Sequence, residues 1–264
     1  MLDKFLESLS SSSIDLINNG YKIFEVEDHS LLNEITNQFK DFIKKEQSIE
    51  LDDFSSLHKH LNIKDLNSLR YSFFQQLNCD NTFSKKYLNL GYDIVNDVVG
   101  SELAANKSVN FSIQMPNDST SKLSIHSDTF SGESEFQINL WVPLTNTRST
   151  NSMFIFNPDF SRKVIENIGK YEKKGIEHLL ETNKDEYKFL ELKYGEALIF
   201  TPTCLHGNVV NTTNETRISF NCRYKNLYSP YCENEENEKK LGAFYIPITP
   251  KAATIIGLKN KIKY

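Results

Sequence analysis

The hydrophobic period changes once along this chain, and that change limits what it can fold into. Up to about residue 105 the apolar residues recur at helical spacing; from Ser108 they recur at every second position. Leu31, Leu32, Ile35, Phe39, Phe42 and Ile43 form one stripe of an amphipathic helix that Ser30 can cap. Residues 61–77 and 87–99 read the same way, with Gly100 as a stop. Ahead of them a short helix closes at Gly20, residues 21–26 alternate as a strand, and 53–60 is a polar connection. Beyond Ser108, Val109-Asn-Phe-Ser-Ile-Gln-Met115 alternates cleanly. Further short strands are expected at 123–126, 136–142, 152–156, 187–193, 196–201, 207–210 and 217–223. Short alternating strands separated by turns point to a jelly roll or barrel, and the helices need that sheet to bury their stripes.

The expected class is therefore α+β, mainly β, with N-terminal helices packed on one sheet and everything in one domain. Its parts are a helical buttress at 1–105, a strand-rich body at 106–225 with a charged, helix-prone insert at 158–186, and a tail at 226–264. Long inserts between barrel strands often cover pockets, so the insert is a candidate lid. The tail reads as irregular, with a solvated acidic patch at 233–238 and residues 244–250 packing across the body.

A net charge of −5, spread over both signs without a basic stripe, argues against nucleic acid as a partner. Cys79, Cys204, Cys222 and Cys232 show no CxxC pair and read as reduced thiols of a cytoplasmic protein. No run approaches the roughly 18 apolar residues of a membrane span, and residues 1–7 lack the uninterrupted apolar stretch of a leader.

The chemistry concentrates between residues 123 and 223. His126-Ser-Asp128 ends one apolar segment, and His206 follows the strand-like 196–200. An HxD triplet is weak by itself, and either histidine could be a hydrogen-bonded rim residue. Context raises it, because both motifs sit where a strand runs into a loop. Two imidazoles and one carboxylate suit a non-haem ferrous ion, since they hold one face and leave the opposite positions open. Arg217 follows on a strand, with Ser219 on the same face; a guanidinium and a hydroxyl suit the distal carboxylate of 2-oxoglutarate. Asn221 and Arg223 continue that face. Trp141 is a core residue or a neighbour of the co-substrate, and Gln114 is a further candidate contact. His29, His58, His60 and His178 lie at a helix start, in a polar loop and in the charged insert, and do not compete. The carboxylate at Asp128 leaves no ligand place for a halide, so hydroxylation, desaturation or a related oxidation is expected. Two other readings use the same residues: a non-catalytic cupin-like carbohydrate binder, and a zinc hydrolase with Glu133 or Glu135 as its base.

His126-Ser-Asp128, Asn139-Leu-Trp-Val-Pro-Leu144, Lys193-Tyr-Gly-Glu196, His206-Gly-Asn208 and Arg217-Ile-Ser219 resemble the phytanoyl-CoA dioxygenase-like branch of Fe(II)/2-oxoglutarate oxygenases. More narrowly, the chain resembles the sporadic carbohydrate-cluster oxygenases of bacterial surface-polysaccharide gene clusters, over about residues 110–250. The resemblance implies a double-stranded β-helix of the cupin-like, jelly-roll kind. It implies His126, Asp128 and His206 as iron ligands, Arg217 on the distal carboxylate, and Trp141 beside the 2-oxoglutarate. It also implies dioxygen as co-substrate and a sugar or nucleotide-sugar as the small-molecule substrate.

Overall fold

The computed structural model describes residues 3–172, 175–231 and 239–261. Its strands are β1 (Tyr21–Glu25), β2 (Leu103–Asn106), β3 (Asn110–Gln114), β4 (Gln137–Pro143), β5 (Phe154–Phe156), β6 (Tyr187–Phe189), β7 (Glu196–Phe200), β8 (His206–Gly207), β9 (Arg217–Asn226) and β10 (Tyr245–Pro247). The larger sheet runs β1-β7-β4-β9-β2-β10, and β3 pairs with β9 alongside β2. The smaller is β6-β5-β8. Every pairing between these strands is antiparallel. The long strand β9 organises the large sheet. One edge carries β4; the other carries β3 against residues 217–221 and then β2 against residues 224–226.

Successive side chains of a strand point to opposite faces, and the large sheet uses the two parities for different purposes. Ile138, Leu140 and Val142 of β4, Ala197 and Ile199 of β7, Phe111 and Ile113 of β3, and Ile218, Phe220 and Cys222 of β9 join the main core. On the other side of that core lie the stripes of helices His29–Gln47, Ile63–Leu77 and Tyr92–Val99. Its centre is aromatic, with Phe39 and Phe73 centroids 4.6 Å apart and Phe111 and Phe220 5.0 Å apart. The opposite parity of the same strands looks toward the small sheet. There Trp141, Leu198 and Phe200 meet Met153 and Ile155 in a second apolar cluster. Phe154 and Phe156 point the other way, into a third cluster built with the insert.

Several expectations shift. The first long helix is capped by Asp28, whose Oδ1 accepts from the Leu31 amide at 2.8 Å, rather than by Ser30. The polar connection is a 3-10 helix, Phe54–Lys59, that buries Phe54 and Leu57. The helix expected over 87–99 is broken at Gly91, whose Cα lies so close to Phe24 that a Cβ would sit 2.8 Å from that ring. Residues 123–126 form no strand; His126 makes a single bridge to His206. Leu103–Asn106 is an unanticipated strand, buried on both faces and therefore without alternation. The tail is not irregular throughout: β10 pairs with β2, and Ala252–Lys261 is a helix. The acidic patch lies outside the described residues. No helix among the described residues is long and apolar enough to cross a membrane.

Candidate metal centre

His126, Asp128 and His206 converge, their potential ligand atoms all lying within 4.8 Å of one another. The Nε2 atoms of His126 and His206 stand 3.8 and 3.9 Å from Asp128 Oδ1, and the imidazole centroids are 4.3 Å apart. The backbone imposes this meeting. His126 N donates to His206 O at 3.0 Å and His206 N to His126 O at 2.8 Å, so each histidine fixes the height of the other. Gly207 permits the approach: a Cβ there would lie 2.6 Å from the carbonyl oxygen of Leu123 and 3.0 Å from that of Ser124. The Nδ1 atoms of both rings face carbonyl oxygens, of Ser124 at 2.8 Å and Cys204 at 2.9 Å. A carbonyl only accepts, so Nδ1 carries the proton and Nε2 presents a lone pair to the centre, as metal-binding histidines require.

The protonation states suit ligation. Burial, the neighbouring His126 and Arg223 hold His206 at about 4, against the pull of Asp128, so its imidazole is neutral. Burial works to raise the Asp128 carboxyl, but the His206 ring, the Arg223 guanidinium and the Asn139 amide outweigh it and hold the group at about 2. Asn139 Nδ2 donates to Oδ2 at 2.7 Å, and Arg223 Nη2 to Oδ1 at 3.0 Å. Arg223 also pairs with buried Glu133, which accepts from Gln137 at 2.7 Å and faces Lys239 Nζ at 3.2 Å. Glu133 is thus a structural counter-ion, engaged on all sides and not poised as a base.

The triad opens into a cavity of about 310 Å³. Arg217, Ser219, Asn221 and Arg223 all line it, as the strand parity requires. Arg217 is 4% exposed; its Nη1 donates to Ser219 Oγ at 3.1 Å, and its guanidinium lies over the Trp141 ring at 5.8 Å. Its Nε has no partner, and no carboxylate pairs with it among the described residues. Burial lowers it to about 10, which leaves it charged at neutral pH. Trp141 also lines the cavity, whereas Gln114 does not: its amide nitrogen donates to Val209 O at 2.6 Å. The described part of the insert contributes no lining residue. It packs on the outer face of the small sheet, and its Glu177 reaches the cavity rim, pairing with Lys122 at 3.2 Å.

The sequence reading missed Asn139 as the support of Asp128, and Asn110, Ser112, Asn208 and Arg70 as lining residues. The first three had a signal in the polar parity of their own strands. Arg70 had none, because it reaches the cavity from helix Ile63–Leu77.

A cofactor with a metal end and a carboxylate end fits these residues. Two neutral imidazoles and a carboxylate form one face of donors, and the same cavity holds a buried guanidinium whose Nε lacks a partner.

No protein-family model matches this sequence, and no curated protein matches it. Solved structures do match. The non-haem monooxygenase ThoJ, solved as a nickel complex, is 14% identical over 92% of this chain and 86% of its own, with a TM-score of 0.57. EctD from S. alaskensis, solved with 2-oxoglutarate and 5-hydroxyectoine, is 13% identical over 84% and 78%, with a TM-score of 0.55. The non-haem α-ketoglutarate-dependent carbocyclase SnoK from nogalamycin biosynthesis is 12% identical over 92% and 98%, with a TM-score of 0.52. At such identities the likeness is one of fold.

Proposed function

We propose that this chain is an iron(II)- and 2-oxoglutarate-dependent oxygenase, folded as a single double-stranded β-helix domain of the phytanoyl-CoA dioxygenase-like kind. The observation that carries this is the pairing, in one cavity, of a two-histidine, one-carboxylate cluster with a buried arginine that lacks an anionic partner among the described residues. The bound iron and 2-oxoglutarate together supply the dioxygen chemistry, in which the keto acid leaves as succinate and carbon dioxide while the substrate is oxidised. His126, Asp128 and His206 hold the metal. Asn139 and Arg223 fix the carboxylate of Asp128, and the Ser124 and Cys204 carbonyls fix the two imidazoles. Arg217, with Ser219, receives the distal carboxylate. Trp141 walls that end and keeps water from the salt link, which strengthens it.

The substrate proposed is a sugar or sugar-nucleotide of bacterial surface carbohydrate biosynthesis, oxidised in the cytoplasm. The motif resemblance supports this class, and so do the amide and hydroxyl side chains of the lining, which suit a polyol. The folds of ThoJ, EctD and SnoK support the oxygenase class. The test is anaerobic loading with ferrous ion and 2-oxoglutarate, then admission of oxygen with succinate as the readout. Succinate formed in wild type and lost in Asp128→Ala is expected. A metal-loaded protein that neither binds 2-oxoglutarate nor forms succinate would overturn the proposal.

A further inference from the structure

Accessibility divides the cavity. Arg217, Trp141 and Phe200 are at most 5% exposed and mark its inner end. Arg70 is half-buried, and Asn110, Thr120, Lys122 and Leu123 are exposed, so these residues form its mouth. Among the described residues four cations line the whole, namely Arg70, Lys122, Arg217 and Arg223, against the single carboxylate of Asp128. Two of the four are neutralised. Arg223 is paired with Asp128 and Glu133, and Lys122 with Glu177 at 3.2 Å. Arg217 is assigned above to the co-substrate. That leaves Arg70, whose hydrogen bond goes to the neutral Asn67 Oδ1 at 2.7 Å and which pairs with no carboxylate among the described residues. The nearby Asp118 feels its charge, but that carboxylate is engaged with the Thr120 amide and hydroxyl and the Ser121 hydroxyl.

Two further features make this mouth a built site. The 118–123 segment of the mouth is pinned: Asn208 Nδ2 donates to Ser121 O at 3.2 Å, its Oδ1 accepts from the Leu123 amide, and Asp118 closes the turn before it. On the sheet side, Asn110 and Asn221 stand opposite each other across β3 and β9, and the buried Oδ1 of Asn221 has no donor among the described residues. A buried acceptor without a partner costs about 1–3 kcal/mol, a cost that a ligand hydroxyl would relieve.

Resting on the oxygenase reading, we infer that the substrate is an anionic, hydroxyl-bearing molecule, with its phosphate or carboxylate on Arg70 and a hydroxyl on Asn221. Arg70 is then the residue that separates charged from neutral sugars. A charged hydrogen bond to a fork of this kind is worth about tenfold or more in affinity.

The experiment is isothermal titration of manganese-loaded protein, with and without 2-oxoglutarate, using glucose 1-phosphate, glucuronate and glucose as probes. At least one charged probe should bind about tenfold or more tightly than glucose, and Arg70→Gln should erase that preference while 2-oxoglutarate binds as before. Phosphate and carboxylate are told apart by which charged probe shows the preference. The inference is overturned if glucose binds as well as both charged probes, if neither charged probe binds, or if the preference survives in Arg70→Gln. A charged probe that competes with 2-oxoglutarate would also overturn it, because the anion would then sit on Arg217. Failure of 2-oxoglutarate itself to bind would sink the oxygenase reading separately, with the titrations on manganese alone still judging Arg70.

Discussion

Replacing Arg217 by glutamine should move stability and binding in opposite directions. The guanidinium is buried, and burial alone lowers it from 12.5 to about 10; that depression corresponds to roughly 3 kcal/mol of lost solvation. Because the folded-state value is the lower one, the penalty is fully present at every pH below about 10 and fades only as the pH rises toward 12.5. Glutamine removes the charge, at the expense of the Ser219 hydrogen bond at 3.1 Å and the contact with Trp141 at 5.8 Å. Those two are together worth about 1–2 kcal/mol. The ligand-free variant should therefore be more stable than wild type by ~1–2 kcal/mol, raising Tm by roughly 2–6 °C. A carboxylate on the guanidinium makes charge-assisted hydrogen bonds worth about 3 kcal/mol or more together, so the variant should bind 2-oxoglutarate ~100-fold or more weakly. Thermal denaturation of manganese-loaded protein, with and without 2-oxoglutarate, reads both effects at once. A ligand-free variant less stable than wild type would refute the claim that this charge lacks a partner. A variant stabilised by 2-oxoglutarate as strongly as wild type would refute its role.

Three other perturbations probe the support of the centre. Asn139→Ala removes the 2.7 Å hydrogen bond to Asp128 and should weaken manganese binding by about 10–100-fold; unchanged affinity in a spin-resonance titration would show that Arg223 alone orients the carboxylate. Gly207→Ala forces a Cβ within 2.6 Å of a backbone oxygen, where nothing can yield cheaply. It should cost ~1–3 kcal/mol and part the two histidines, so a normal Tm with normal metal binding would contradict the close approach. Glu133→Gln removes one of the two buried carboxylates that Arg223 pairs with, the other being Asp128. Breaking such a pair costs about 3–5 kcal/mol, so calorimetry should show Tm lower by roughly 6 °C or more. A shift below ~1 °C would mean that the network carries little stability.

The legible parts of this molecule were those whose physics is periodic. The stripe from Leu31 to Ile43 appears in the structure with those residues inside, and the alternation at 109–115 and 217–223 appears as strands whose apolar parity joins the main core. The strand Leu103–Asn106 was invisible because both its faces are buried and two of its four residues are alanine, which carries no strand preference. The segment at 123–126 misled for the opposite reason. Its apolar–polar pattern resembles a strand, yet it is held by the His126–His206 bridge and by Asn208 rather than by a ladder. The three side chains of the candidate metal centre could be named because their chemical types are few. Arg70 could not, since a single arginine on an amphipathic helix reads as solvated surface until the fold brings it to the cavity mouth.

Strand β9 explains why the legible and illegible parts divide as they do. Its even positions, Ile218, Phe220, Cys222 and Tyr224, are locked into the helix-side core, and its odd positions, Arg217, Ser219, Asn221 and Arg223, all face the cavity. A slip of one residue in its pairing with β4 would exchange the two sets and bury two guanidiniums among phenylalanines. The apolar parity therefore fixes the register, and the register sets the order of charges along the cavity, from Arg217 at the closed end to Arg223 beside Asp128. Chemistry on this strand is consequently open to change without loss of the fold at the cavity-facing amides and hydroxyls, such as Ser219 and Asn221. The same freedom does not extend to Arg223, whose charge is already committed to Asp128 and Glu133. Variation in what such a cavity accepts should accordingly arise from Asn110, Asn221 and Arg70, the lining positions that bear on the ligand without bearing on the metal.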